Sequence, residues 1–318
     1  MRLEQLECLC EIVKQGFSVS GAAAALHTSQ PAVSRHLRAI ERELGVDVFM
    51  RRHKRLTGMT RPGEAIVAAA QRMLAEAANM RNIGRDSTAP QSGSLIVATT
   101  HTQARHALPA IVKRFSARYP DVELTLRQGN PAGVADMVRA GEADIAIASE
   151  TPSHPPELVM LPAYRLERIV LTPVRHPLLK EPRLTLESLA RYPIVTYDEA
   201  FVGRSRVVRA FEKKGLKPRI VLSAIDTDVI KTHVETGLGV AIVAKMAFDA
   251  RRDRALRAID ASHLFEPNTI YVTLRRNIHL RRYALDFIQW FAPHLDHGTV
   301  VRAVRGQGPA IRLPADAC

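Results

Sequence analysis

The tightest constraint on this chain lies in residues 1–60, where three helical patterns follow one another, each ended by a stop signal and reopened by a cap. Leu3, Leu6, Leu9, Ile12 and Val13 form one apolar stripe that ends at Gly16. Ser18 then offers an N-cap to "VSGAAAALH", whose alanines let another backbone approach closely. Thr28 and Ser29 offer a third start, before "QPAVSRHLRAIERELG". Pro31 sits in its first turn, where a missing N–H costs nothing, and Val33, Leu37, Ile40 and Leu44 return on one face. Gln30, Ser34, Arg35 and Arg38 share the opposite face.

Two short helices joined by a tight turn, the second capped and basic outside, have the form of a helix-turn-helix. The DNA major groove admits one α-helix, and residues near that helix's N-terminus reach base edges. Gln30, Ser34 and Arg35 are therefore the base-reading candidates, with Arg38 a turn further along and placed for phosphate. The next segment, "VDVFMRRHKRLTGMTRPG", gathers Arg51, Arg52, Lys54 and Arg55 on a hairpin-like stretch, the wing of the motif. Such residues position the module on the backbone without reading sequence. Double-stranded DNA is the expected partner.

The formal net charge of +13 agrees with a polyanionic partner, although charge alone does not choose between nucleic acid and an anionic membrane surface. The N-terminus lacks the apolar core and cleavage site of a secretory signal, and no run of about 18 apolar residues occurs, so a cytoplasmic protein with no membrane partner is expected. Cys8 and Cys10 are two apart in a helical pattern and Cys318 ends the sequence, which gives neither a disulfide frame nor a zinc set. No metal and no cofactor are expected.

From Pro62 to Thr88 the pattern is one long helix, with Ile66, Ala69, Met73, Ala77 and Met80 spaced by three and four, a stripe suited to pairing with a second copy. "APQSGS" breaks it at 89–94. Beyond, "SLIVATT", "VELTLRQG", "ADIAIAS", "RIVLTPV", "PIVTYD", "RIVLSAI", "GVAIVAK" and "NTIYVTLRR" read as short buried strands with amphipathic helices between most of them. That alternation predicts an α/β fold with largely parallel sheets. "LPAYRLERIVLTPVRHPLL" reads as a crossover into a second subdomain, and two subdomains leave a cleft at the C-terminal ends of strands. "RRYALDFIQWFAPHL" reads as a closing helix with Trp290 in the core, and the stretch after Thr299 as a disordered tail. The expected domains are 1–60, a winged helix-turn-helix; 61–92, a linker and dimerisation helix with hinge; 93–298, two α/β subdomains; and 299–318, the tail.

"TTHTQARHALP", 99–109, is a strand-to-helix turn that places Thr99, Thr100, Thr102 and Gln103 beside a helix N-terminus, where free N–H groups and the helix dipole favour an anion. Neutral hydroxyls with helix N–H groups would hold an anion without a fixed counter-charge. Asp226, Asp228 and Lys231 in "DTDVIKTH" either orient an effector or, for Asp226, cap a helix. His101 and His106 have no serine or cysteine in nucleophile geometry beside them, and no phosphate-binding glycine loop occurs, so an enzyme is not expected.

This order of parts resembles the LysR-type transcriptional regulators over nearly the whole chain, with "AAAALHTSQPAVSRHLRAIERELGVDVFMR" similar to the family's DNA-binding signature. "TTHTQARHALP", "YPIVTYDEAFVGRS" and "DTDVIKTHVETGLGVAIVA" resemble the branch of that family that controls sulfur assimilation and cysteine biosynthesis. The resemblance implies a periplasmic-binding-protein-like effector domain whose cleft takes a small sulfur-related anion, sulfate or thiosulfate, or an acetylserine. It makes Thr100, Thr102 and Gln103 the anion contacts, with Ser149 replacing a threonine and keeping its hydroxyl. Val202 also stands where the pattern has a threonine, and there the hydroxyl is lost. A homo-oligomer, dimer or tetramer, is implied. The competing reading is a solute-binding or enzymatic α/β protein whose N-terminal helices serve only assembly.

Overall fold

The computed structural model of the chain describes all residues except 54, 89, 90, 152–154, 309, 310 and 315–318, and the side chain of Ser87. The chain divides into two compact units, Met1–Thr88 and Ala89–Cys318.

In the first unit α1 (Leu3–Lys14), α2 (Val19–Ala25) and α3 (Gln30–Leu44) pack around Leu6, Leu9, Ile12, Ala22, Val33, Leu37 and Ile40. The caps are those the sequence offers. Gly16 turns with φ 60° after α1, and Ser18 Oγ accepts the Gly21 N–H at 3.0 Å. At α3 the choice falls to Ser29, whose Oγ accepts the Ala32 N–H at 3.3 Å, and Gly45 ends the helix at φ 71°. Leu44, expected on the apolar face, is instead 41% exposed, because it lies in the last turn beyond the core. Strands β1 (Phe49–Arg52) and β2 (Arg55–Met59) pair antiparallel as the wing, and α4 runs Arg61–Thr88. On α4, Val67, Ala70 and Ala75 are buried while Met73, Met80 and Ile83 are exposed.

The second unit holds two five-stranded sheets. The first lobe has strand order β4-β3-β5-β12-β6, from β3 (Gly93–Thr99), β4 (Val122–Gln128), β5 (Ile145–Ser149), β6 (Leu158–Leu166) and β12 (Asn268–Arg275). The second has order β11-β7-β10-β8-β9, from β7 (Arg168–Pro173), β8 (Ile194–Tyr197), β9 (Ile220–Ala224), β10 (Val240–Ala244) and β11 (Leu256–Asp260). Each sheet is mixed, with a single reversed strand: β4, β3, β5 and β6 run one way with β12 alone against them, and β9, β8, β10 and β11 run one way with β7 alone against them. The two reversed strands, β7 and β12, are those on which the chain enters a lobe after crossing from the other. It crosses once from β6 through Glu167 into β7 and returns into β12 after Pro267, so the stretch read as a crossover carries two strands.

Helices cover both faces of each sheet, which is why the central strands are apolar throughout. In the first lobe α5 (Leu108–Arg118) and α10 (Arg282–Phe291) bury Phe115, Tyr119 and Phe287 on one face, and α6 (Pro131–Arg139) buries Val134 and Val138 on the other. Trp290 is only partly buried, with the Arg114 guanidinium 4.2 Å over its ring. In the second lobe α7 (Leu186–Leu189) and α8 (Val202–Glu212) flank one face and α9 (Thr227–Glu235) the other. The stretch after Thr299 is not without structure: α11 (His297–Val304) is capped by Asp296 and buries Val300 and Val304 against the first lobe. The remainder of the expected tail includes residues outside those described, Cys318 among them.

Candidate functional site

The helix-turn-helix presents Gln30, Arg35 and Arg38 exposed and Ser34 half-buried along the open side of α3. That face is dictated by the buried one, since Val33, Leu37 and Ile40 leave these positions no alternative. Arg52 is exposed on the wing, whereas Lys54 lies outside the described residues. Arg51 has a second employment: its Nη2 donates to Glu41 Oε2 at 2.7 Å, and the other oxygen of that buried carboxylate accepts the Val48 N–H at 3.1 Å. Arg51 therefore ties the wing to α3.

In the second unit, β3 delivers Thr99 and Thr100 to the sheet's C-terminal edge, and Thr99 Oγ1 donates to Ile147 O at 2.8 Å. Helix begins at once, at His101, and widens into a π-helical turn over Gln103–Ala107 before α5. Such turns are rare and are frequent at functional sites. This geometry directs Thr100, Thr102 and Gln103 into a cavity of about 40 Å³ between the lobes, whose wall also includes Ser149, Leu166, Arg168, Tyr197, Phe201, Gly203 and Asn268. Four of the five residues that sequence reasoning assigned to the anion thus meet in one cavity. At the fifth, Val202, the wall is formed by its two neighbours, Phe201 and Gly203.

The hydroxyls are wired across the cleft. Thr102 Oγ1 lies 3.2 Å from Thr227 Oγ1, which lies 2.8 Å from Tyr197 OH. Gln103 Oε1 accepts from Tyr164 OH, so the amide oxygen is occupied. Its Nε2 has only the soft Met246 Sδ, at 3.8 Å. Burial pushes the Tyr164 phenol well above its ordinary pKa, so it stays a donor. The first turn of α8 opens onto the cavity, and its N-cap Phe201 has no side-chain hydrogen bond to give.

Sequence reasoning missed Arg168. It is 4% exposed at the first residue of β7 and lines the cavity. Its Nη2 donates to Asn268 Oδ1 at 2.7 Å, and its Nε is buried without a hydrogen-bond partner. The nearby carboxylate of Glu150 is engaged by Arg206. Burial holds the Arg168 pKa below its ordinary value, but a guanidinium remains charged. The cavity therefore does contain a fixed cation, contrary to the expectation of neutral donors alone. Gly203 makes room for it, since a Cβ there would fall 2.0 Å from Arg168 Nη2.

The charged residues of "DTDVIKTH" are engaged. Asp226 caps α9, its Oδ1 accepting the Asp228 N–H at 2.7 Å. Lys231 Nζ pairs with Asp253 Oδ2 at 2.8 Å, and Arg105 Nε with Asp228 Oδ2 at 2.7 Å. His106 has its Nε2 buried without a hydrogen-bond partner, and burial, then the Lys231 charge, hold its imidazole below its ordinary pKa.

A reading helix with its wing, and a two-lobed α/β unit closing on a charged cavity, define a ligand-responsive DNA-binding regulator. The family comparisons agree: residues 3–64 match the bacterial regulatory helix-turn-helix proteins of the lysR family, and residues 88–296 match the LysR substrate binding domain. The chain belongs to the LysR family of transcriptional regulators; it is a DNA-binding protein and not an enzyme. Within that family it is similar to the regulator SsuR of Burkholderia cenocepacia, with 46% identity over 96% of this chain and 99% of that one. It is also similar to CysB of the same organism, with 44% identity over 98% of this chain and all of that one. Among solved structures, the cofactor-binding domain of the Cbl transcriptional regulator superposes with a TM-score of 0.64 and 44% identity, covering 67% of this chain and 93% of that one.

Proposed function

We propose that this protein regulates sulfur-assimilation and cysteine-biosynthesis genes from the cytoplasm, and that its inter-lobe cavity senses a small sulfur-related oxyanion. The observation that carries this reading is Arg168. A buried guanidinium with one N–H unpartnered is costly unless an anion completes it. Around it stand the hydroxyls of Thr100, Thr102 and Ser149, the Gln103 amide and the first turn of α8. Together they line the cavity with the several donors a tetrahedral oxyanion requires.

Volume narrows the class further. A cavity of about 40 Å³ holds about three waters, at about 10–15 Å³ each. That suits sulfate or thiosulfate with the lobes as they stand, whereas an acetylserine requires them to part. The effector acts by binding one arrangement of the lobes better than another. On DNA, Gln30, Ser34 and Arg35 read bases, while Arg38, Arg52, Lys54 and the outer edge of Arg51 follow phosphates. The exposed Met73, Met80 and Ile83 of α4 pair with the same stripe of a second copy, giving a dimer that presents two reading helices.

Calorimetric titration of the full chain with sulfate, thiosulfate and O-acetylserine, repeated on Thr102→Val, tests the site. Saturable binding at one site per chain, weakened at least tenfold by the substitution, is the expected result. Equal affinity in both proteins would remove Thr102 from the site and leave its hydroxyl as a strut to Thr227.

A further inference from the structure

We propose a second binding site at the rim of the cleft, outside the anion cavity: His101, Asp226 and Asp228 form a three-ligand site for a divalent metal cation of the zinc class, which clasps the two lobes together. His101 opens the helical segment after β3 in the first lobe, and both aspartates stand at the start of α9 in the second. His101 Nε2 lies 3.1 Å from Asp226 Oδ1 and 3.6 Å from Asp228 Oδ2. One ligand atom from each of the three falls within 4.8 Å of the others. Metal–nitrogen and metal–oxygen bonds of about 2.0–2.2 Å in a tetrahedron place neighbouring ligand atoms about 3.3–3.6 Å apart. The spacing across the rim is already that of a coordination edge.

The imidazole is oriented for this role. Its Nδ1 lies 3.2 Å from Gln128 Oε1 at the end of β4. An amide oxygen only accepts, so Nδ1 carries the hydrogen and Nε2 turns toward the carboxylates. Metal-binding histidines are held in the same way, by an acceptor behind the other ring nitrogen.

The direction of the oxygens separates a metal from a proton. Nε2 is buried and has no hydrogen-bond partner, although Asp226 Oδ1 is only 3.1 Å away, because that oxygen does not lie in line with the ring N–H direction. A proton on Nε2 finds no well-aligned acceptor. A metal on the same axis needs its other ligands off it. Arg105 does not close the site, since a carboxylate oxygen has lone pairs for both a guanidinium and a metal, and its bond to Asp228 fixes that carboxylate as an outer partner does. The two carboxylates and Arg105 sum to one negative charge, which favours a cation. One nitrogen and two oxygens match the ligand preference of zinc, with water completing the fourth position.

A cation there joins the lobes beside the Thr102–Thr227 contact, so metal and anion both favour the closed arrangement, and each should raise the affinity for the other by the same factor. The test is calorimetric titration of the chelator-treated full chain with zinc chloride, against His101→Ala and Asp226→Asn, the latter keeping a helix-capping side chain. The parent should bind one more equivalent of zinc per chain than either variant, and zinc should raise sulfate affinity severalfold in the parent alone. Cobalt(II) should give a visible absorption in the parent that both variants lose. Equal zinc stoichiometry in parent and His101→Ala would overturn the site, as would a zinc effect on sulfate binding that survives either substitution. Sulfate binding without metal, and its response to Thr102→Val, stand or fall separately, so failure of the metal site is distinguishable from failure of the anion site.

Discussion

Replacing Arg168 with methionine separates two effects that a buried charge imposes with opposite sign. Methionine keeps length and fills irregular space, so packing at the start of β7 is preserved. In the ligand-free protein the change removes a buried guanidinium whose Nε has no partner, and exchanging buried ionic groups for apolar ones is neutral or stabilising by about 1–4 kcal/mol. Against that, Asn268 Oδ1 loses its donor, at about 1–3 kcal/mol. The two nearly cancel, so the melting temperature of the free protein should hold or rise slightly. Anion binding has no such compensation. Each hydrogen bond to a charged group contributes about 1.5–3 kcal/mol, so even one lost bond weakens sulfate about tenfold to a hundredfold. In the parent, sulfate at about a hundred times Kd adds about 2.7 kcal/mol of stability. For a unit the size of residues 89–318 that is a rise of about 5–10 °C. Arg168→Met at the same sulfate concentration should show about half of it or less. Differential scanning calorimetry of both full chains, with and without sulfate, reads all four values. A variant with the parent's sulfate-induced rise and a Kd within twofold would refute the assignment of Arg168 to the anion, whatever happened to the free protein.

Other outcomes follow from the same structure. Arg35→Ala should lose discrimination at one base pair of each half-site by about 1–3 kcal/mol while keeping non-specific binding, measured by competition between operator variants. Met80 is 68% exposed on α4, so Met80→Glu should leave the fold intact and shift the protein toward monomer in sedimentation equilibrium; an unchanged dimer would place the interface elsewhere. His176 caps the short helical turn Pro177–Lys180 by accepting the Leu178 N–H on Nδ1, and burial lowers its pKa. The unfolded state therefore takes up the proton more readily: stability should be full above about pH 6.5 and decline as pH falls through that value. Urea midpoints at neutral and mildly acidic pH should show this decline, with a shallower slope in His176→Gln.

What could be read in advance divides along physical lines. Caps and turns are local, and Gly16, Ser18, Ser29 and Gly45 placed the ends of α1, α2 and α3 because each acts on its own neighbours. Strand β6 was hidden by Pro162, which breaks the expected pattern; in the fold β6 is an edge strand, and the register of its pairing with β12 shifts beside Pro162. Strand β11 was missed because Arg257 and Asp260 give it no apolar run. Helix α11 was missed because its buried positions are few, Val300 and Val304, and its stability comes from the lobe it packs on. At the cavity, the Thr100–Gln103 cluster is contiguous in sequence and so was legible. Arg168 was not, since a charged residue before an apolar strand reads as solvated, and only the return of the chain through Asn268 buries it. The same holds for Arg51, read as a phosphate contact and found bonded to a glutamate ten residues earlier.

Arg168 and Asn268 are also the first residues of β7 and β12, the strands that follow the two crossings between lobes. Their hydrogen bond therefore bridges the pivot of the clamshell, and an anion seated against Arg168 presses where the lever arm is shortest. At a given displacement, a load near a fulcrum turns the arms through a larger angle than the same load at their tips. On the proposed reading, a five-atom ion bound there would swing a whole lobe, and the smallness of the effector would become a condition of the protein's responsiveness.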